Sequence, residues 1–101
     1  MIIYNITTLV SWPIHDDWKE WLMNEYIPEL MATELFSHFL VVRLMEVDEY
    51  EGPTYALQLY IKDISHFNAY RDKHLDDFQK KEKNAWGDYI TSFASLMEVI
   101  N

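Results

Sequence analysis

The sequence predicts an α+β fold with the element order βαββαβ, in which two helices cover one face of a four-stranded antiparallel sheet. Three observations lead to this prediction. Four segments are rich in β-branched and aromatic residues, two segments carry apolar residues at helical spacing, and a length of 101 residues suits a single domain over residues 1–101.

The first half of the chain predicts a strand followed by a kinked helix. Residues 2–10 (IIYNITTLV) contain neither a helical period nor a breaker, which indicates a first strand. Asp17 and Glu20 have the spacing of a capping box at the start of a helix. Its apolar stripe consists of Ile14, Trp18, Trp21 and Leu22. Pro28 cannot donate to the preceding turn, so we expect a kink at residues 26–28.

The second half predicts a hairpin, a helix and a last strand. Residues 36–47 and 54–61 have strand composition, and the short polar link between them favours an antiparallel hairpin. A second helix is predicted over residues 65–86, and Gly87 separates it from a last strand at 89–100. The stripe of this helix consists of Phe67, Tyr70, His74, Phe78 and Ala85. The order is that of a ferredoxin-like fold.

Both faces of the predicted sheet are apolar, although helices cover only one. The second strand places Phe36, Leu40, Val42 and Leu44 on one side and Phe39, Val41, Met45 and Val47 on the other. The third strand places Tyr55, Leu57, Leu59 and Ile61 opposite Ala56 and Tyr60. Soluble monomers rarely expose so large an apolar patch. The sequence therefore predicts a homodimer that forms through the open face of the sheet.

Composition argues against several classes of function. The chain has 17 acidic and 8 basic residues, a net charge of -9, so nucleic acid and anionic membranes are poor partners. It has no cysteine, so thiol chemistry and thiolate metal sites are excluded. The four histidines lack metal-site spacing and there is no glycine-rich phosphate loop, so we expect no metal and no cofactor. Without a leader pattern or a membrane-spanning segment, a cytoplasmic location is expected.

Short motifs along essentially the whole chain resemble one small bacterial family of unknown function. They are Tyr4-Asn5-Ile6-Thr7, Trp18-x-x-Trp21, Tyr26-Ile27-Pro28-Glu29, Ala32-Thr33 with Phe36, Arg43-Leu44, Thr54-Tyr55 with Gln58, Tyr70 with His74, and Leu96-Met97-Glu98-Val99-Ile100. More distantly, the sequence is similar to the dimeric α+β barrel superfamily, which includes the antibiotic biosynthesis monooxygenases. These are cofactor-free or haem-using enzymes with non-enzymatic relatives. The resemblance implies this fold and a homodimer, and it names no activity.

The sequence departs from the resembled family at two places. Where the family usually has His before the Ile-Pro of the first helix, this chain has Tyr26, and where it tends to have Arg-Thr in the last strand, this chain has Ala94-Ser95. If that His and Arg form a site in the family, the resemblance implies that the site is altered or lost here.

Three residues are candidates for acid–base chemistry. His74 lies within the stripe of the second helix, where it would be a general base or a ligand contact, or else a packed histidine. Tyr26 at the kink would donate a hydrogen bond to a ligand, or else pack its ring as an ordinary amphipathic residue and keep its hydroxyl group in water. Glu25 lies near the tryptophan side of the first helix. A buried acid there would be a catalytic candidate, whereas rotation at Pro28 would turn it to solvent.

Four further residues are candidates for ligand contacts in an aromatic-lined cavity between helices and sheet. They are Asn5, Trp21, Gln58 and Tyr70. Alternatively, Asn5 and Gln58 make hydrogen bonds across the sheet or across the dimer. Arg43 lies among apolar residues, and Glu98 is its predicted ion-pair partner.

Taken together, the sequence predicts a homodimer that binds a small molecule in this cavity. One alternative is an enzyme, a cofactor-free monooxygenase or isomerase acting on a small aromatic or dicarbonyl substrate. Another is a structural interaction module without a cavity.

Overall fold

A computed structural model describes residues 1–101 and contains one four-stranded antiparallel sheet. Its strands are β1 (Ile2–Val10), β2 (His38–Arg43), β3 (Thr54–Ile61) and β4 (Ile90–Glu98). They lie side by side in the order β2-β3-β1-β4, with β1 and β3 at the centre. This is the order of a ferredoxin-like α+β fold, so the predicted fold class is confirmed.

The first connection between strands contains a broken helix, as Pro28 predicts. After a 3-10 turn at Trp12–Ile14 come α1 (His15–Trp21), a π-helical turn (Leu22–Tyr26) and α2 (Ile27–Ala32). The π-helical turn, with its wider hydrogen-bond spacing, ends directly before Ile27 and Pro28, so the regular α-helical pattern stops and restarts there. The predicted capping box is wrong, since α1 begins at His15 and no side chain caps it.

The predicted second helix is two helices, α3 (Ile64–Lys73) and α4 (Leu75–Trp86). The break is at His74, whose φ of -128° is not helical. Neither glycine nor proline lies near this position, so local propensity did not reveal the break. Both segments contribute buried aromatic rings to the core, Phe67 and Tyr70 from α3 and Phe78 from α4. A 3-10 turn at Gly87–Tyr89 then leads into β4.

The second strand is shorter than the predicted residues 36–47. Phe36 precedes β2 and packs in the core against Tyr70, with ring centroids 5.0 Å apart. After Arg43 the chain leaves the sheet, and its guanidinium binds Glu49 at 2.8 and 3.1 Å. The predicted Arg43–Glu98 pair is therefore wrong. The last strand is also shorter than predicted and ends at Glu98.

Side-chain alternation along the strands places the core on the helix-facing side. The residues of the central strands that face the helices are Tyr4, Ile6, Thr8 and Val10 in β1, and Tyr55, Leu57, Leu59 and Ile61 in β3. On the other side, Leu40, Val42 and Phe93 are between 37% and 64% exposed. A single chain therefore leaves apolar side chains of its open face in contact with water.

The helices are short or polar. None combines the length and the apolar character that crossing a membrane requires.

Candidate functional site

Two adjoining cavities lie between the helices and the sheet, with volumes of about 60 and 10 Å³. We call the larger one the α4 cleft. Its walls are Tyr4, Ile6, Tyr26, Tyr70, Leu75, Gln79, Glu82, Ser92, Phe93 and Ala94. The smaller cavity shares three of these residues, Ile6, Tyr26 and Glu82. Glu82 therefore lies where the two cavities meet.

Glu82 is the acidic residue of this site. It follows Phe78 by four positions and precedes Trp86 by four, so it lies on the inward stripe of α4. Burial raises the pKa of its carboxyl from 4.5 to about 7. No lysine, arginine or histidine lines either cavity, so the carboxylate has no cation to offset its desolvation.

Three tyrosines from different elements also line the α4 cleft: Tyr4 from β1, Tyr26 from the π turn and Tyr70 from α3. Burial, and secondly the nearby Glu82 carboxyl, raise the pKa of the Tyr4 and Tyr26 phenols. Burial and then Tyr4 raise the pKa of Tyr70. All three phenols therefore keep their proton at neutral pH and can donate it in a hydrogen bond.

The Tyr26 hydroxyl makes only a long hydrogen bond within the protein. It donates to the backbone carbonyl of Phe78 at 3.4 Å. Hydrogen bonds of this length are weak, so a ligand oxygen in the cleft would compete well for the phenol. The Tyr26 ring itself is held on two sides, by Trp21 at 4.6 Å and by Phe78 at 5.6 Å between centroids.

Two hydroxyl groups form the polar part of the sheet wall. Thr8 Oγ1 and Ser92 Oγ are 2.9 Å apart on the neighbouring strands β1 and β4. Thr8 lines the smaller cavity and Ser92 lines the α4 cleft. Trp18 also lines the smaller cavity, and its buried indole nitrogen has no acceptor within the protein. These groups could satisfy the polar atoms of a ligand.

A second polar cluster lies at one end of the sheet and holds Tyr55, which lines the smaller cavity. The Tyr55 hydroxyl is hydrogen-bonded to His15 Nε2 at 2.7 Å. Burial lowers the pKa of His15. The Arg43 guanidinium lies 5.9 Å from the centroids of the Trp12 and Tyr55 rings. These contacts hold the ring of Tyr55 and occupy its hydroxyl group with His15.

Of the seven residues that the sequence singled out, two line the α4 cleft: Tyr26 and Tyr70. Trp21 stacks on Tyr26 from outside and does not line the cleft. Its contribution is to restrict the orientation of the Tyr26 ring.

The structure places Asn5 and Gln58 on the open face of the sheet, which corrects their predicted position in the cavity. They are cross-strand partners, and each lies between residues that point towards the helices. Because side chains alternate along a strand, neither can reach the cavity from there. Asn5 Nδ2 donates to Thr7 Oγ1 at 3.0 Å on the same face.

His74 and Glu25 also lie outside the cavity. His74 is half-buried at the break between α3 and α4, where it stacks on Tyr70 at 6.3 Å and lines a surface groove. Glu25 is exposed in the π-helical turn. Their predicted role as a base within the cavity does not match this placement.

Sequence reasoning missed Glu82 and Tyr4. For Glu82 the available signal was the spacing Phe78–Glu82–Trp86, which lies on one helix face. Treating residues 65–86 as one uninterrupted helix placed Ala85 on the inward stripe instead. In the structure Ala85 is exposed, and Glu82 and Trp86 are the half-buried residues of this part of α4.

The two positions at which the chain departs from the resembled family, Tyr26 and Ala94, lie in the same cavity. Tyr26 and Ala94 both line the α4 cleft, one from the π turn and one from β4. Neither is basic, which agrees with the absence of a cation beside Glu82. No three histidine or acidic side chains come close enough together to hold a metal ion.

Comparison with known families identifies the chain. The model of a domain of unknown function, DUF4286, matches residues 1–100. The chain belongs to the DUF4286 family. This confirms the resemblance drawn from the sequence motifs. No protein of curated function matches the sequence.

Solved structures show the same fold at low sequence identity. HapK from Hahella chejuensis is 16% identical with a TM-score of 0.69, over 99% of this chain and 93% of that one. An antibiotic biosynthesis monooxygenase is 12% identical with a TM-score of 0.60, over 98% and 99%. A dimeric ferredoxin-like protein from an uncultured marine organism is 17% identical with a TM-score of 0.65, over 99% and 96%. The predicted similarity to the monooxygenase-like fold is confirmed.

Glu82 should make the folded state less stable as pH rises. Its folded pKa of about 7 lies above the ordinary value of 4.5, so the folded chain holds this proton more tightly than the unfolded chain. The resulting stability is fully present below pH 4.5 and is lost as pH rises through 7. We expect a loss of about 2 kcal/mol in the free energy of unfolding between about pH 5 and pH 8, measured by urea denaturation.

Glu82→Gln should remove this pH-dependent component, and at the higher pH the variant should be more stable than the wild type. Glu20→Gln, which changes an exposed carboxyl on α1, should retain it. Parallel pH profiles for Glu82→Gln and the wild type would contradict the assignment.

Proposed function

We propose that this protein binds a small molecule in the α4 cleft. The observation that carries the proposal is the position of Glu82, a half-buried carboxyl that lines both cavities and has no basic side chain beside it. A buried charge without a partner costs folding stability, and an apolar side chain at the same position would avoid that cost. Such groups cluster at binding and catalytic sites, where a ligand supplies the missing interaction.

The walls of the α4 cleft support the same function. Most of them are apolar or aromatic, and the polar groups are few: Glu82, Gln79, Ser92 and the tyrosine hydroxyls. This combination is typical of small-molecule sites, in which a few polar groups orient a ligand in an apolar cavity. A volume of about 60 Å³ suits a compact ligand, or one end of a larger ligand that projects past Phe93 at the sheet edge.

Ligand screening should find compounds that bind in the α4 cleft. We would titrate small amines, alcohols and carbonyl compounds into the protein and follow backbone amide resonances by NMR. Glu82→Gln and Tyr26→Phe should weaken binding about tenfold each, because each removes one hydrogen-bonding group from the cleft. His74→Ala should bind as the wild type does, since His74 does not line the cleft. Failure of every compound to shift resonances of the cleft residues would refute the proposal.

We also propose that two copies associate through the open face of the sheet. Apolar side chains on that face, including Leu40 and Phe93, are 46% and 64% exposed in the single chain. Association would remove them from water at about 25 cal/mol for each Å² of apolar surface. Dimeric ferredoxin-like proteins among the structural neighbours support this arrangement.

Sedimentation should show the wild type as a dimer, at twice the chain mass of 12.2 kDa, at micromolar concentration. Leu40→Glu should shift it towards monomer, because a carboxylate would be buried without a partner between the sheets. Ile64→Glu is the matched control. Ile64 is 51% exposed at the start of α3, on the helical side of the fold, so this variant should stay dimeric. A monomeric wild type would contradict the dimer.

A second candidate function is acid–base catalysis, and one observation favours it. The Glu82 pKa of about 7 lies at the value that suits a general base at neutral pH. In a cofactor-free isomerase- or monooxygenase-like reaction on a small aromatic or dicarbonyl substrate, the carboxylate would accept a proton from the substrate. The electron pair would move onto a substrate oxygen, and the Tyr26 hydroxyl would donate a hydrogen bond to that oxygen.

Deuterium uptake distinguishes this enzyme from a binding protein. The wild type in deuterated water should speed exchange at the carbon next to the carbonyl of a small ketone such as acetone. Glu82→Gln should reduce the protein-dependent rate by about 100-fold. If the wild type binds ketones in the cleft but leaves the exchange rate unchanged, it is a binding protein and the catalytic role is wrong.

A further inference from the structure

We infer that the ligand of the α4 cleft is a cation, of the class of small primary ammonium ions, with its charged group beside Glu82. The inference rests on the proposed function, because it concerns the ligand of the same cleft. It depends on the charges that surround Glu82 and on the chemistry of the walls.

None of the residues that line the two cavities with Glu82 carries a positive charge. The titratable groups that face it are phenols, Tyr4 from β1, Tyr55 from β3, Tyr26 from the π turn and Tyr70 from α3. The β4 wall is formed by Ser92, Phe93 and Ala94, none of which ionises. Glu82 is thus the only formal charge on the inner walls of either cavity.

Two lysines flank Glu82 in the sequence, and neither lines the cavities: Lys83 is exposed and Lys81 is bound elsewhere. Lys81 precedes Glu82 on α4, but its ammonium binds Glu29 on the outer side of the helices. The same ammonium lies 5.1 Å from the centroid of the Phe78 ring. Lys81 therefore cannot neutralise Glu82 without losing both contacts.

These charges separate three classes of ligand. An anion would meet the Glu82 carboxylate with no cation nearby, in a protein whose net charge is -9. A neutral ligand would leave the carboxylate without a counter-charge at pH values above about 7, where Glu82 is ionised. An ammonium ion would donate N–H groups to the carboxylate and would supply the missing charge. The cleft therefore favours a cation over the other two classes.

The remaining walls also suit an ammonium ion. Phenol and serine hydroxyl oxygens accept N–H groups, and Tyr4, Tyr26, Tyr70 and Ser92 provide four of them. The electron-rich faces of aromatic rings attract cations, and three of these four residues are aromatic. A volume of about 60 Å³ matches a short alkylammonium group rather than a bulky quaternary one.

Binding of such a cation should be coupled to the ionisation of Glu82. The ammonium ion pairs with the carboxylate and not with the neutral acid, and an alkylammonium ion keeps its own proton at neutral pH. With a Glu82 pKa of about 7, affinity should rise about tenfold between about pH 6 and pH 8. Neighbouring phenols stay neutral over this range, so Glu82 alone sets the pH profile.

The experiment compares ethylammonium with ethanol, two probes of the same shape that differ in charge. Each is titrated into the full-length protein at millimolar concentrations, and amide resonances of Tyr4, Tyr26, Tyr70 and Ser92 are followed by NMR. At about pH 8 ethylammonium should shift these resonances more strongly than ethanol. The affinity of the protein for ethylammonium should be about tenfold lower at about pH 6 than at about pH 8. Glu82→Gln should abolish the preference for the amine, whereas Glu20→Gln should keep it.

The outcomes separate this inference from the proposed function. If ethanol or other neutral compounds bind the cleft as well as ethylammonium does at the higher pH, where Glu82 is ionised, the cation inference is overturned and small-molecule binding stands. If ethylammonium binds equally to Glu82→Gln, the charge of Glu82 is not the determinant and the inference is again overturned. If no charged or neutral compound shifts the cleft resonances, both are refuted.

Discussion

The packing of aromatic rings between helices and sheet is the constraint on which the rest of this structure depends. Tyr70, which is 1% exposed, lies at its centre. Its ring contacts those of Phe36, Tyr4 and Phe78 at centroid distances of 5.0, 5.7 and 6.1 Å. These contacts join α3, α4, β1 and the segment before β2 into one core. Phenol rings bury much apolar area, but each brings a hydroxyl group that needs a polar partner. A core of this kind leaves polar atoms inside, and they line the cleft.

The cleft follows from where those hydroxyl groups are placed. Tyr4, Tyr26 and Tyr70 come from three elements, and each contributes to the same wall. Glu82 completes the wall from α4, at the position between two apolar residues of its stripe. An aliphatic side chain there would avoid the desolvation that raises the Glu82 pKa. The protein thus keeps an acidic group where folding alone would favour an apolar one, which connects its stability to the binding function that we propose for the cleft.

Local signals in the sequence were enough for much of the fold. The bounds of β1 and β3 match the predicted segments, and the helix is interrupted directly before Pro28. Each of these signals acts within a few residues: β-branched composition, and the missing proline donor. Where the prediction failed, no local signal was present. The break at His74 has no glycine or proline, and β2 ends at Arg43, whose guanidinium binds Glu49 across a loop.

For the candidate site, the sequence by itself determined which residues share a face and little more. Period-two alternation places Tyr4, Ile6 and Thr8 on one side of β1 and Asn5 on the other, because backbone geometry sets side-chain direction along a strand. Which side is covered, and by which helix face, depends on contacts between residues far apart in the chain. Only the tertiary structure therefore decided that Asn5 faces outward and that Glu82 is desolvated among phenols. A pKa depends on the atoms around a carboxyl group, and four separate elements bring those atoms to Glu82.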